Sequence, residues 1–187
     1  MRPQKIDDQE MLEGLTKVFR NKGYEGASLK ELAEVTGLKK ASLYHRFPNG
    51  KKEMGEAVFN HLGNWVNEHV FNTLNDNSIK PLSRLNGALA AIRVLYDDGK
   101  ETCILRAFSM HNGLELFEDL IKKNMSIWID NFEKLGLAFD LKPEIARTYA
   151  LQSLVEIQGS LIVTKGLNDL SIFDTTINDI QRRYLSE

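Results

Sequence analysis

TGLKKASLYHRFPNGKK, residues 36–52, holds five cations (Lys39, Lys40, Arg46, Lys51, Lys52) and no carboxylate. The chain as a whole is slightly acidic, with a formal net charge of -2 over 187 residues, so the run is a local electropositive surface. Residues 1–54 carry 11 Lys+Arg against 8 Asp+Glu, and the remainder carries 13 against 18. That asymmetry predicts that only the N-terminal part meets a polyanion.

The residues before the run specify a helix, a turn and a second helix. Ser28-Leu-Lys-Glu31 fits a capping box, opening a short helix with Leu29, Leu32, Ala33 and Val35 inward. Gly37 suits a turn that needs positive φ. A second short helix is predicted over 39–47, stopping before Pro48. Its Leu43 and Phe47 face the core, leaving Lys39, Lys40, Ser42, Tyr44, His45 and Arg46 outward. Ala41 and Ser42 are small enough to let that helix approach a major groove. The flanking cations suit phosphates, whose counterion release drives affinity. Lys51 and Lys52 fall at the start of the next helix, where free N–H groups and the dipole also favour a phosphate. The expected DNA-binding set is therefore Ser28, Lys39, Lys40, Ser42, Tyr44, His45, Arg46, Lys51 and Lys52. Within it Lys40, Ser42, Tyr44 and His45 are the reading-helix candidates, and Ser28, Lys51 and Lys52 the phosphate candidates.

Apolar spacing predicts helices throughout and an all-α fold of about nine helices, three of them in the basic head. The first carries Met11, Leu12, Leu15, Val18 and Phe19 and stops at Lys22-Gly23. The fourth runs from Asn49-Gly50 to about Asn72, followed by a loop at 75–78. Pro81 opens a helix that reaches Leu95, and a short helix covers 102–112. A long one spans 114–135, closed by Gly136. Pro143 opens another, stopped by Gly166, and Asp169 or Ser171 caps the last, which ends near Leu185. The expected division is a helix-turn-helix domain at 1–50 and a helical body at 51–187.

Cys103 is the one cysteine, which excludes a disulfide within the chain and fits a reducing cytoplasm. No apolar run approaches the roughly 18–20 residues needed to span a bilayer, and the N-terminus lacks the pattern of a signal peptide. The histidines at 45, 61, 69 and 111 stand in no zinc-ligand spacing, and no catalytic motif appears. Neither an enzyme nor a metal or cofactor site is expected.

Residues 7–54 resemble the DNA-binding head of the TetR family of bacterial transcriptional regulators. The likeness rests on Phe19 with Gly23-Tyr24-Glu25-Gly26-Ala27-Ser28, on Leu32-Ala33-Glu34 with Gly37-Leu38, and on Ser42-Leu43-Tyr44-His45-Arg46-Phe47-Pro48. It implies phosphate contacts by Tyr44 and Lys51. Lys39 and Ala41 depart from the commoner Ser and Gly. The Phe-Pro-Asn-Gly-Lys connection is similar to the LmrA/YxaF-like branch, as are Cys103, Trp128 and the Glu156–Ile162 segment.

The resemblance further implies a homodimeric repressor of a palindromic operator, released by a small-molecule effector bound in the body. Pocket candidates, as polar or soft residues among apolar neighbours, are Trp65, His69, Cys103, Phe108 and Met110, with His111, Met125, Trp128, Phe132 and Gln158. Dimer candidates on the last two long helices are Leu151, Leu154, Val155, Leu161 and Ile162, with Phe173, Ile177, Ile180 and Tyr184. The helix from Pro143 is apolar on more than one face, which a single core does not require. A body that binds a protein partner in place of a small ligand is the other reading these residues leave open.

Overall fold

The computed structural model describes residues 7–185, and these form an all-α fold of nine helices. α1 is Asp8–Gly26, α2 Leu29–Val35 and α3 Lys40–Arg46. α4 starts as Lys51–Val66, widens into a π-helical segment at Asn67–Phe71 and closes with an α-helical turn, Asn72–Asn75. α5 is Pro81–Leu95, followed by a 3-10 turn at Asp97–Gly99. α6 is Ile104–Phe108, α7 Asn112–Ala138, α8 Pro143–Leu167 and α9 Ser171–Leu185.

The chain forms two compact units. One holds the residues up to Gly63 together with Ile104–Ile121, and the other Asn64–Cys103 with the residues from Lys122 on. The head defined by packing thus reaches past residue 50 and takes in α6 and the first turns of α7.

In the first unit, Leu15 and Phe19 of α1, Leu32 of α2 and Leu43 of α3 are essentially inaccessible, so one small core fixes all three helices. Val35 was expected in it but is half-exposed. The buried inner position at the end of α2 belongs to Thr36, whose hydroxyl donates to the Leu32 carbonyl at 2.7 Å. Phe19, Tyr24, Phe59, Phe108 and Phe117 form a continuous ring cluster, with Phe108 edge-on to Phe19, Phe59 and Phe117 at 4.8–5.1 Å. Such pairs add specific geometry to plain apolar burial. The cluster ties α1 and α4 to α6 and the start of α7.

In the second unit, α9 lays Phe173, Ile177, Ile180 and Tyr184 inward, at 3, 4 and 7 residue spacings that make one helical face. Tyr184 packs on Phe132, Phe139 and Tyr149, and burial pushes its hydroxyl pKa well up. Two stops read from glycines are corrected. α7 continues through Gly136 to Ala138, and a Cβ on Gly136 would stand 2.8 Å from the Ala146 Cβ. That glycine serves a close approach to α8, and the chain turns instead at Asp140, with φ +61°. α8 likewise passes Gly166 and ends at Asn168 in the left-handed conformation. The last helix has its expected start, where the Asp169 carboxylate accepts from both the Ser171 N–H and hydroxyl.

Candidate nucleic-acid interface

The capping box is formed as its sequence specifies. The Ser28 hydroxyl accepts from the Glu31 N–H at 3.2 Å, and Glu31 accepts in return from the Ser28 N–H at 3.1 Å and hydroxyl at 2.8 Å. Those bonds to Ser28, the hydroxyl first, hold the Glu31 carboxyl below the ordinary range. Gly37, at φ +64°, turns the chain, and the Leu38 N–H closes on the Ala33 carbonyl at 3.1 Å. α3 then leaves the core with only Leu43 buried, Phe47 sealing its C-terminal end.

Lys39, Lys40, Ala41, Ser42, Tyr44 and His45 are all exposed on this short helix, as their spacing required. Lys52 is exposed too and shares an i,i+4 pair with Glu56 at 3.8 Å. Two of the expected contacts point elsewhere. Arg46 is turned onto α1, where its guanidinium donates to Asp8 at 2.7 Å and lies 3.2 Å from the Met11 sulfur. Lys51 folds back over the end of α1, with Nζ 3.2 Å from the Ala27 carbonyl, 3.4 Å from that of Glu25 and 4.6 Å from the Tyr24 ring centroid. Partial burial there lowers its pKa, against the opposing pull of Glu25. Carbonyls at a helix end attract a cation for the reason an N-terminus attracts an anion. The site is thus an outward row on α3 with two cations behind it fastening the scaffold.

Against known proteins, residues 11–58 match the model of bacterial regulatory proteins of the tetR family. A relative of similar length is the HTH-type transcriptional repressor DhaR of Mycobacterium sp. (strain GP1). The two are 25% identical over 167 residues, 84% of this chain and 81% of DhaR. Residues 11–58 are a DNA-binding domain of the TetR type. Solved structures of TetR regulators share the chain's all-α fold. A TetR transcriptional regulator from Legionella pneumophila superimposes with a TM-score of 0.81 at 19% identity, covering 97% of this chain and 98% of that one. A cysteine mutant of the TetR family regulator CifR, complexed with a 26-bp double-strand operator DNA, gives 0.75 at 20% identity, covering 97% and 98%. Likeness to the uncharacterised regulator YxaF of Bacillus subtilis is 31% but spans only 77 residues, 41% of this chain and 40% of YxaF, so the narrower branch has weak support.

The ten pocket candidates do not form one group. Phe108, Met110 and His111 belong to the first unit, and the other seven to the second. Phe108 is fully buried in the ring cluster, whereas Met110 and His111 are exposed. In the second unit Trp65 lies against His69 at 4.5 Å, and Trp128 packs on Phe71 and Phe132. Met125 and Gln158 are half-buried. Cys103 is buried, its sulfur 3.4 Å from the Tyr96 hydroxyl, as a packed small side chain.

Six dimer candidates are corrected. Leu154 and Leu161 on α8 and Phe173, Ile177, Ile180 and Tyr184 on α9 are all buried within the chain, because α8 and α9 pack mainly on each other. Leu151, Val155 and Ile162 are exposed as expected, and Val163 and Leu167 join them. The last two are four residues apart and widen the apolar surface round the helix. Among the described residues no helix is long and apolar enough to cross a membrane, and no group of three or more His, Cys, Asp or Glu is placed to hold a metal ion.

Proposed function

We propose that this TetR-family regulator is a cytoplasmic repressor that binds a palindromic operator as a homodimer and is released by a small-molecule effector, with no catalytic step. One observation carries the DNA reading. α3 exposes Lys39, Lys40, Ala41, Ser42, Tyr44 and His45 while Leu43 and Phe47 fix it on the head. Lys40, Ser42 and His45 then meet base edges, and Lys39, Tyr44 and Lys52 meet phosphates. Ser28 stands at the start of α2, but its hydroxyl is already engaged by Glu31 and serves first as a cap. The names of DhaR, a repressor, and of the CifR complex with operator DNA support the same reading.

Pairing of two chains is supported by the outer face of α8. Leu151, Val155, Ile162, Val163 and Leu167 lie exposed there, and Gly159 and Gly166 have no atom within 4 Å of where a Cβ would stand. An apolar face so open on a monomer is suited to burial against its own copy. Selection of bound duplexes from a random pool tests the function. Enrichment of an inverted repeat with half-sites spaced by whole helical turns is expected. A pool that stays random at every salt concentration would overturn the DNA reading. Val155→Glu with Ile162→Glu should yield monomers in sedimentation, and a double variant that sediments like the parent would overturn the dimer face.

A further inference from the structure

A hollow of about 300 Å³ opens in the first unit beside the end of α1. Nothing in the DNA reading uses it. One wall is the stretch from Arg20 to Gly26, and the other is Arg106 and Ala107 of α6 with Met110 and His111 of the turn that follows.

Arg20, Lys22 and Arg106 face a single carboxylate, Glu25, whose Oε1 already accepts from the Asn112 N–H at 3.0 Å. Lys22 has a distant share of Glu31 at 3.7 Å, and Arg106 makes no ion pair among the described residues. The rest is apolar or soft, with Ala107 buried, Met110 52% exposed and Tyr24 half-buried.

The backbone is held in uncommon conformations on both walls. Gly23, at φ +70°, breaks α1 where a Cβ would come within 3.2 Å of the Ala107 carbonyl. His111 sits at φ +51° without being a glycine. Strain of that kind collects at ligand sites, where the surroundings must over-determine it. Guanidinium groups offer fork geometry matched to carboxylate and phosphate oxygens. A volume at the low end of ligand sites limits the guest to a small molecule.

We propose that this hollow binds a small organic anion, its carboxylate or phosphate held by Arg106 and Arg20 and its apolar part lying on Met110 and Ala107. The site is separate from any effector pocket in the second unit and lies directly behind the ring cluster that seats α1.

The full-length, DNA-free protein tests it, with salicylate and phenyl phosphate as probes and benzyl alcohol as the neutral control. Binding is followed by calorimetry and by the Met110 methyl and His111 ring resonances. At millimolar concentration one or both anions should shift those two signals, and whichever binds identifies the head group. Benzyl alcohol should leave them in place. Arg106→Gln should weaken anion binding about tenfold with an unchanged melting temperature, and Met110→Ala should weaken it several-fold. No shift with either anion, equal binding to Arg106→Gln, or an equal shift with benzyl alcohol would overturn the proposal. So would an Arg106→Gln variant that loses salt dependence on duplex DNA but keeps its anion affinity, because Arg106 would then serve the DNA backbone. Failure here leaves the operator reading standing, since no step of the test involves DNA.

Discussion

Five cations lie within fourteen residues of the same basic run, yet they fall into two sets. Lys39, Lys40 and Lys52 stand in solvent. Arg46 and Lys51 are drawn back onto α1, one by Asp8 and the other by the Ala27 and Glu25 carbonyls. The difference follows from what each can reach. A cation on the outer face of α3 meets no acceptor among the described residues, whereas one at a helix junction finds unsatisfied carbonyls or a first-turn carboxylate. Positive charge in a sequence therefore announces a field. Which charges serve the ligand and which serve the scaffold is decided by neighbours tens of residues away.

The comparison breaks or holds on four variants, in falling order of expected effect. Lys39→Ala with Lys40→Ala should weaken all duplexes and flatten the log–log salt slope by about two units, with no loss of melting temperature. Anisotropy titrations over a salt series read this, and a parallel fall in stability would place both lysines with the scaffold set. Lys51→Met keeps the apolar stem and removes the bonds to the α1 carbonyls. It should lower stability by about 1–2 kcal/mol in urea unfolding, toward the lower figure because the site is partly solvated. If stability holds while the salt slope flattens, Lys51 belongs with the outward set.

Ser28→Ala should cost about 1 kcal/mol through the lost cap, with a signature in acid. Glu31 has a folded pKa below its unfolded value. Its contribution is therefore full above the unfolded value, about 4.3, and is lost as pH falls through the lower folded one. Removing Ser28 should flatten that acid limb in a pH series of melting curves, and an unchanged limb would separate the cap from the titration. Arg46→Ala breaks a pair in which Asp8 is largely exposed and should cost under about 1 kcal/mol. A larger loss would mean that the Met11 contact and the packing of the stem outweigh the charge.

The helix-turn-helix was legible because its signals are local. The capping box, the Gly37 turn and the Leu43 and Phe47 spacing lie within twenty residues, and short-range rules govern each. Helix ends at Gly136 and Gly166 were misread because a glycine can mark a stop or a close approach. Choosing between them needs Ala146, ten residues past Gly136. The inward face of α9 reads as a partner surface to anyone who lacks α8, since an amphipathic stripe does not name what covers it. The hollow was invisible for a plainer reason. Arg20 and Arg106 line opposite walls of one hollow across more than eighty residues of chain, and neither stands in a motif.

The π-helical segment of α4 has a consequence for how this helix tolerates change. A π turn closes its hydrogen bond from i to i+5 where an α turn closes from i to i+4, so Asn67–Phe71 is a wider turn than a regular helix has. Asn67, Glu68 and His69 are all exposed, whereas Val66 before them and Val70 and Phe71 after them are buried. Deleting one of the three exposed residues would let the segment relax to an ordinary α turn. A single deletion a turn earlier or later would swing every downstream side chain by about 100°. The helix thus has one place where its length is adjustable.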